Sequence, residues 1–155
     1  MDTYYMQLAL EEAKKAYKKG EVPIGAIVVR KDEVVATGHN LRESLKDATA
    51  HAEIISIQKA CKKAGGWRLT ESVLYVTIEP CPMCAGAILQ SRIDRVVIGA
   101  MDPKAGACGS VINLFNQGHF NHKVEITTGV LEEECSSIMK AFFKTLRDSK
   151  RNNNK

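Results

Sequence analysis

No apolar run in this sequence approaches the length a bilayer requires, which excludes a helical membrane span. The opening residues, MDTYYMQLALEEAKK, have neither the basic n-region nor the apolar h-region of a secretory leader, so a cytoplasmic setting is expected. Internal repeats are absent, which excludes a solenoid. There is no Pro- or Ser-rich linker either, and the 155 residues are expected to form a single domain with a tail from about 150 (RNNNK) left disordered. Net charge is small, at +4, so the chain as a whole carries no strong field of one sign. What is present fits a globular protein: 45% hydrophobic and 26% charged residues. Charge is unevenly placed, because Lys140, Lys144, Arg147, Lys150, Arg151 and Lys155 face a single nearby acid, Asp148. Such an end can touch phosphate or simply be solvated. Five cysteines in a chain expected to be cytosolic argue for metal or redox chemistry rather than a disulfide framework.

The hydrophobic pattern gives a succession of elements. Met6, Ala9, Leu10, Ala13, Ala16 and Tyr17 recur at helical spacing over 3–19, and Gly20 is a natural stop. Two β-branched stretches, 24–30 and 33–38, flank Lys31-Asp32 and read as a hairpin. A polar loop is expected over 40–47, then a helix from about 50 to 64 with Thr49 as a candidate cap and Gly65-Gly66 as its end. Residues 73–78 read as a buried strand, 81–91 as a helix with Pro82 at its first position, and 95–99 as a strand parallel to the one before. A Gly-rich loop over 105–110, a short helix over 111–117 and a strand over 124–128 follow. The last helix sets Leu131, Cys135, Ile138, Met139, Phe142 and Leu146 on one face, with an acidic start and a basic end. The expected fold is α/β, a mixed sheet with helices on both faces.

Two short segments carry the chemistry: T-A-H-A-E, ending at Glu53, and E-P-C-P-M-C, ending at Cys84. Cys81 and Cys84 are three apart at a helix start, where both can grip one ion and where the dipole favours thiolates. His51 is the candidate third ligand, and mixed sulfur and imidazole donors suit zinc. His51 and Glu53 pose a geometric problem, since residues two apart on a helix point roughly 200° apart. Both face one site only if His51 lies at the cap, which predicts a helix starting at about His51 rather than several residues earlier. Three protein ligands leave a fourth tetrahedral position for water, the catalytic arrangement, and such a water is acidic near a pKa of ~7. Glu53 is then placed to move its proton. The alternatives are a redox C-x-x-C pair, or a structural zinc closed by Cys61, Cys108, His39 or His119. H-x-E combined with P-C-x-x-C is far more specific than either half.

In these residues the chain resembles the zinc-dependent nucleobase deaminases. Further segments are similar to the bacterial tRNA adenosine deaminases: E-V-P-I-G-A from Glu21, His39-Asn40, C-A-G-A-I from Cys84, S-R-I from Ser91, G-A-M-D-P-K-A-G-A-C-G-S from Gly99, Asn121-His122 and Phe142-Phe143. The resemblance runs from the first helix to the last. It implies a three-layer α/β/α cytidine deaminase-like fold with a five-stranded mixed sheet. The implied activity is conversion of adenosine to inosine at the wobble position of a tRNA anticodon, chiefly of an arginine tRNA, by a homodimer with one zinc ion per subunit. It further implies that His51, Cys81 and Cys84 bind zinc, that Glu53 shuttles protons, and that Asn40 hydrogen-bonds the flipped base in a pocket lined by Ile24 and Ala52. Asp102, Lys104, His122, Phe143 and Arg147 are implied to hold the rest of the anticodon loop.

Taken by themselves, these secondary residues have plainer readings. Asn40 suits a strand end, Asp102-Pro103 an ordinary turn, and Lys104 and Arg147 a solvated surface. Two other functions share much of the pattern: deamination of a free base or nucleoside such as guanine or cytosine, and a non-catalytic RNA-binding zinc module.

Overall fold

The computed structural model describes residues 1–118 and 120–153. Its first helix, α1 (Asp2–Lys18), is followed by Gly20, whose φ of +75° is the left-handed stop expected there. Strands β1 (Gly25–Arg30) and β2 (Glu33–His39) pair antiparallel. Lys31 and Asp32 between them have φ of 51° and 60°, the doubly left-handed turn whose twist matches a two-residue hairpin. The Tyr5 hydroxyl donates to the Asp32 carbonyl at 3.1 Å and ties that turn to α1. A one-turn helix, α2 (Arg42–Leu45), interrupts what the sequence presents as an uninterrupted loop.

Helix α3 (Ala52–Ala64) starts after His51, not after Thr49. The Thr49 hydroxyl is already committed, donating to Asp47 Oδ1 at 2.7 Å, so the helix takes the later start that the His51 geometry requires. Strand β3 (Ser72–Ile78), helix α4 (Pro82–Gln90) and strand β4 (Arg95–Ala100) follow as expected, and β3 and β4 are parallel. Of the helix expected over 111–117 only a 3₁₀ turn forms, Leu114–Asn116, capped by the Asn113 side chain. Strand β5 (Glu125–Thr127) closes a sheet of order β2-β1-β3-β4-β5.

Strand alternation divides the core in two. Val28, Leu74, Val76, Val96 and Ile98 face α3 and α4, packing on Ile57, Ala60, Ala85 and Ile88. Ile27, Val29, Tyr75 and Val97 face the other way, toward Met6, Ala9 and Leu10 of α1. Cys135 of α5 (Glu132–Asn153) completes that second layer, which makes the architecture three-layered, α/β/α. Gly25 permits the tight seat of α1, because a Cβ there would lie against the backbone of Ala9 and Ala13.

Two expectations for the last helix change. It remains helical through Asn153, past the point where a disordered tail was expected; Asn154 and Lys155 lie outside the described residues, as does His119. Leu146, expected in the core stripe, is 40% exposed. It lines an open groove with Met139, Phe143 and Arg147, while Tyr17 of α1 packs edge-on against Phe142 and its hydroxyl lies 3.4 Å from Thr145 Oγ1. No helix among the described residues is long and apolar enough to cross a membrane.

Candidate active site

The two helix starts use one device. His51 caps α3 with extended backbone (φ −83°, ψ 154°), and Cys81 caps α4 in the same way (φ −74°, ψ 174°). Pro82 holds the first helical position of α4, where its missing N–H costs nothing. Extended backbone at the cap turns His51 to the same side as Glu53, which resolves the angular conflict of an H-x-E pair inside a helix.

His51 Nδ1 lies 3.7 Å from Cys81 Sγ and 3.5 Å from Cys84 Sγ. Tetrahedral zinc, with bonds of about 2.3 Å to sulfur and about 2.0–2.1 Å to nitrogen, separates N from S by about 3.6 Å. Both N···S separations therefore match what one such ion demands, and all three donor atoms lie within 4.8 Å of one another. Among the described residues they form a group of three that could hold a metal, and no fourth side chain joins them. Three of the alternatives considered above are occupied elsewhere or remote from the group. His39 bonds Glu12 and Lys19, Cys61 points to the Trp67 carbonyl, and Cys108 lies buried outside the donor group.

Charge follows the geometry. The Cys84 S–H and the nearby His51 draw Cys81 down to about 4, the thiolate form that binds metals, while the same shared hydrogen bond and burial drive Cys84 upward. The pair thus shares a proton that a bound cation displaces. Burial pushes the Glu53 carboxyl up to about 7, with the Cys81 charge acting in the same direction. Glu53 is 4% exposed and can both take and give a proton near neutral pH.

Beside the donors lies a pocket of about 90 Å³ lined by Val22, Ile24, Asn40, Arg42, His51, Ala52 and Glu53. All three residues expected to enclose a base, Ile24, Asn40 and Ala52, are in it. Asn40 is buried, with its backbone N–H on the Ile24 carbonyl; its Nδ2 donates to the Val22 carbonyl at 3.3 Å and its Oδ1 accepts the Arg42 N–H at 3.1 Å. Each amide atom thus keeps one position for a further partner.

A second, larger groove of about 770 Å³ runs between the loop after β4 and helix α5, and gathers Asp102, Lys104, Phe143 and Arg147. Asp102 also fits its plainer reading, since Oδ1 accepts the N–H groups of Lys104 and Ala105 in a turn. His122 does not join them within this chain. Its Nε2 lies 2.6 Å from the Ile93 carbonyl, at the opposite end of a strand about 17 Å long.

Two carboxylates escaped the sequence reading. Glu79, 3% exposed, accepts hydrogen bonds from the N–H groups of Asp102, Cys108 and Ser110 and from the Ser110 hydroxyl. Gly106 makes room for it, because a Cβ there would collide with the carboxylate. Glu21, 1% exposed, holds the N–H groups of Glu43 and Ser44 and so fixes the rim of the smaller pocket.

The MafB19-like deaminase family model matches residues 1–147. The chain is 53% identical over 150 residues to a tRNA-specific adenosine deaminase of Bacillus subtilis, covering 97% of this chain and 93% of that protein. A structure solved in studies of A-to-I editing by tRNA:A34 deaminases at the wobble position of transfer RNA superposes with a TM-score of 0.85. It is 46% identical and the match covers 88% of this chain and 99% of that one. A guanine deaminase of Bacillus subtilis is more distant, with a TM-score of 0.61 and 37% identity over 63% of each chain. The chain belongs to the MafB19-like deaminase family and, within it, to the tRNA-specific adenosine deaminases.

Proposed function

We propose that this chain is a single zinc-dependent domain that deaminates adenosine to inosine at the wobble position of a tRNA anticodon, an arginine tRNA being the expected substrate. It acts as a cytoplasmic homodimer with one zinc ion per subunit. The observation that carries the reading is the pair of N···S separations, 3.5 and 3.7 Å, beside a buried Glu53 in the wall of a base-sized pocket.

Zinc held by His51, Cys81 and Cys84 supplies the acidity that makes a water nucleophilic near neutral pH. Glu53 takes a proton from the attacking water and hands it to N1 of the adenine as the C6–O bond forms. It then carries the second water proton to the amino group, which leaves as ammonia when the C6–N bond breaks. Asn40 uses its remaining donor and acceptor positions to orient the base, and Ile24 and Ala52 close the pocket around it. Extruding the base is least costly from an unpaired loop, which favours an anticodon over a duplex. Asp102, Lys104, Phe143 and Arg147 receive the flanking nucleotides in the larger groove. His122 contributes to that contact only from a place outside this groove.

The test is nucleoside mass spectrometry of a mixed, unmodified tRNA pool treated with the zinc-loaded enzyme. Inosine at the wobble position is the expected product, and none is expected from Glu53→Ala. Ammonia released from free guanine, cytosine or cytidine with tRNA untouched overturns the substrate assignment. Unchanged function in Glu53→Ala overturns the catalytic one.

A further inference from the structure

Every polar side chain lining the smaller pocket has a role in the reading above except Arg42. At about 90 Å³ this pocket is well below the ~300–1,000 Å³ that encloses a whole drug-sized ligand, so it takes a base and leaves ribose and phosphates at its mouth. The acid that lines this pocket, Glu53, is of the wrong sign to receive a phosphate. Arg42 is the cation at that mouth apart from the ligand His51.

The backbone of Arg42 is fixed from several directions. Its N–H donates to Asn40 Oδ1, its carbonyl accepts the Asp47 N–H at 3.1 Å, and the next two N–H groups are held by the buried Glu21. Leu41 just before it is tied to the Ala50 carbonyl beside His51. Its side chain, by contrast, is half exposed, and the carboxylate that pairs with it is Glu43, 3.9 Å away and itself 76% exposed. An exposed pair at that distance holds a guanidinium only weakly. The main chain is anchored to the residue that orients the base while the charged fork is left available.

We propose that Arg42 is a phosphate clamp: its guanidinium engages a phosphate adjacent to the nucleotide whose base enters the pocket, and so selects a base in a strand over a free base. This rests on the reading that an RNA nucleotide enters the pocket. Arg42 is a binding residue in this scheme, distinct from the groove of Lys104 and Arg147, and it is coupled to the site through Asn40. An arginine suits the task because its planar fork meets two phosphate oxygens at once.

The experiment uses the zinc-loaded enzyme and an anticodon stem-loop RNA with adenosine at the wobble position. Parallel RNAs carry a neutral methylphosphonate in place of the phosphate on the 5′ or the 3′ side of that adenosine. Arg42→Ala is expected to raise KM about five- to tenfold, to leave kcat within about threefold and zinc content unchanged, and to reduce the log–log salt slope by about 0.7. One of the two methylphosphonates is expected to weaken the wild type by a similar factor and to weaken Arg42→Ala no further. Arg42→Lys, which keeps charge without the fork, falls between them and decides the matter if the alanine variant does not fold. The proposal is overturned if KM and salt slope do not change, or if both methylphosphonates weaken Arg42→Ala as much as the wild type. A wild type that forms no inosine in the unmodified stem-loop sinks the substrate reading instead.

Discussion

Glu79 Oε1 accepts the backbone N–H of Asp102 at 2.8 Å, so a residue two places before Cys81, a candidate metal ligand, also holds the first turn of the loop after β4. The start of α4 and one wall of the larger groove share a single buried anchor. Replacing Glu79 by Ala strands three backbone N–H groups, and a loss of about 2–4 kcal/mol in unfolding free energy is expected. Glu79→Gln keeps one accepting oxygen and is expected to cost about half as much. Urea denaturation of the two variants checks both the size and the order; equal, negligible losses would mean that the anchor is idle.

Glu53→Gln is expected to lower kcat by about 10²–10⁴ with tRNA binding retained. Zinc content of the loaded enzyme should not change, because Glu53 stands outside the group of three donors. Metal analysis beside single-turnover kinetics separates a proton carrier from a ligand: loss of zinc together with activity would identify the latter.

How much of this site is legible in the residues themselves differs from part to part. The cap position of His51 follows from helix geometry alone, because H-x-E cannot converge inside a helix, and the structure has His51 there. The element order is also legible, since period and stops are local signals. The roles of Glu21 and Glu79 are not, because their partners lie between 22 and 31 residues away and are mostly backbone groups, which leave no mark on side-chain pattern. Leu146 misled for a related reason: helical periodicity marks a face but does not reveal where the surface opposite it ends. The helix at 111–117 shrank to one 3₁₀ turn, where Asn113 caps and Leu114 is drawn back by a bond to the Ala107 carbonyl.

Acid sensitivity has a separate source, the tie between α1 and the sheet. The Arg95 guanidinium hydrogen-bonds Asp2 and, with Tyr75, holds its carboxyl below the ordinary 3.8. A depressed folded-state value means the contribution is fully present above the ordinary carboxylate range and is lost as pH falls through the folded value. Asp2→Asn is therefore expected to lower the melting temperature at pH 7, with the gap to wild type narrowing below about pH 4. Thermal melts across that range check it; a gap independent of pH would assign the effect to packing.

Gly25→Ala is expected to destabilise the protein by about 1–3 kcal/mol or more, because the added methyl meets the main chain of α1, which has no rotamer to yield. The same change at Gly66, where a Cβ meets nothing within 4 Å, serves as the control and is expected to be near neutral. Chemical denaturation of the pair measures the difference.

Parallel β3 and β4 finish level, with Ile78 opposite Ala100, so the chain leaves for Cys81 and for Asp102 from the same end of the sheet. The candidate metal site and part of the proposed recognition surface are thus adjoining cassettes, each hung from its own strand. The stretch between the Glu79 contacts at Asp102 and Ser110 can be diversified as a unit, with Gly106 and the two end contacts left unaltered. Libraries built within those limits are a route to redirecting the enzyme toward other nucleic acids without rebuilding the metal centre.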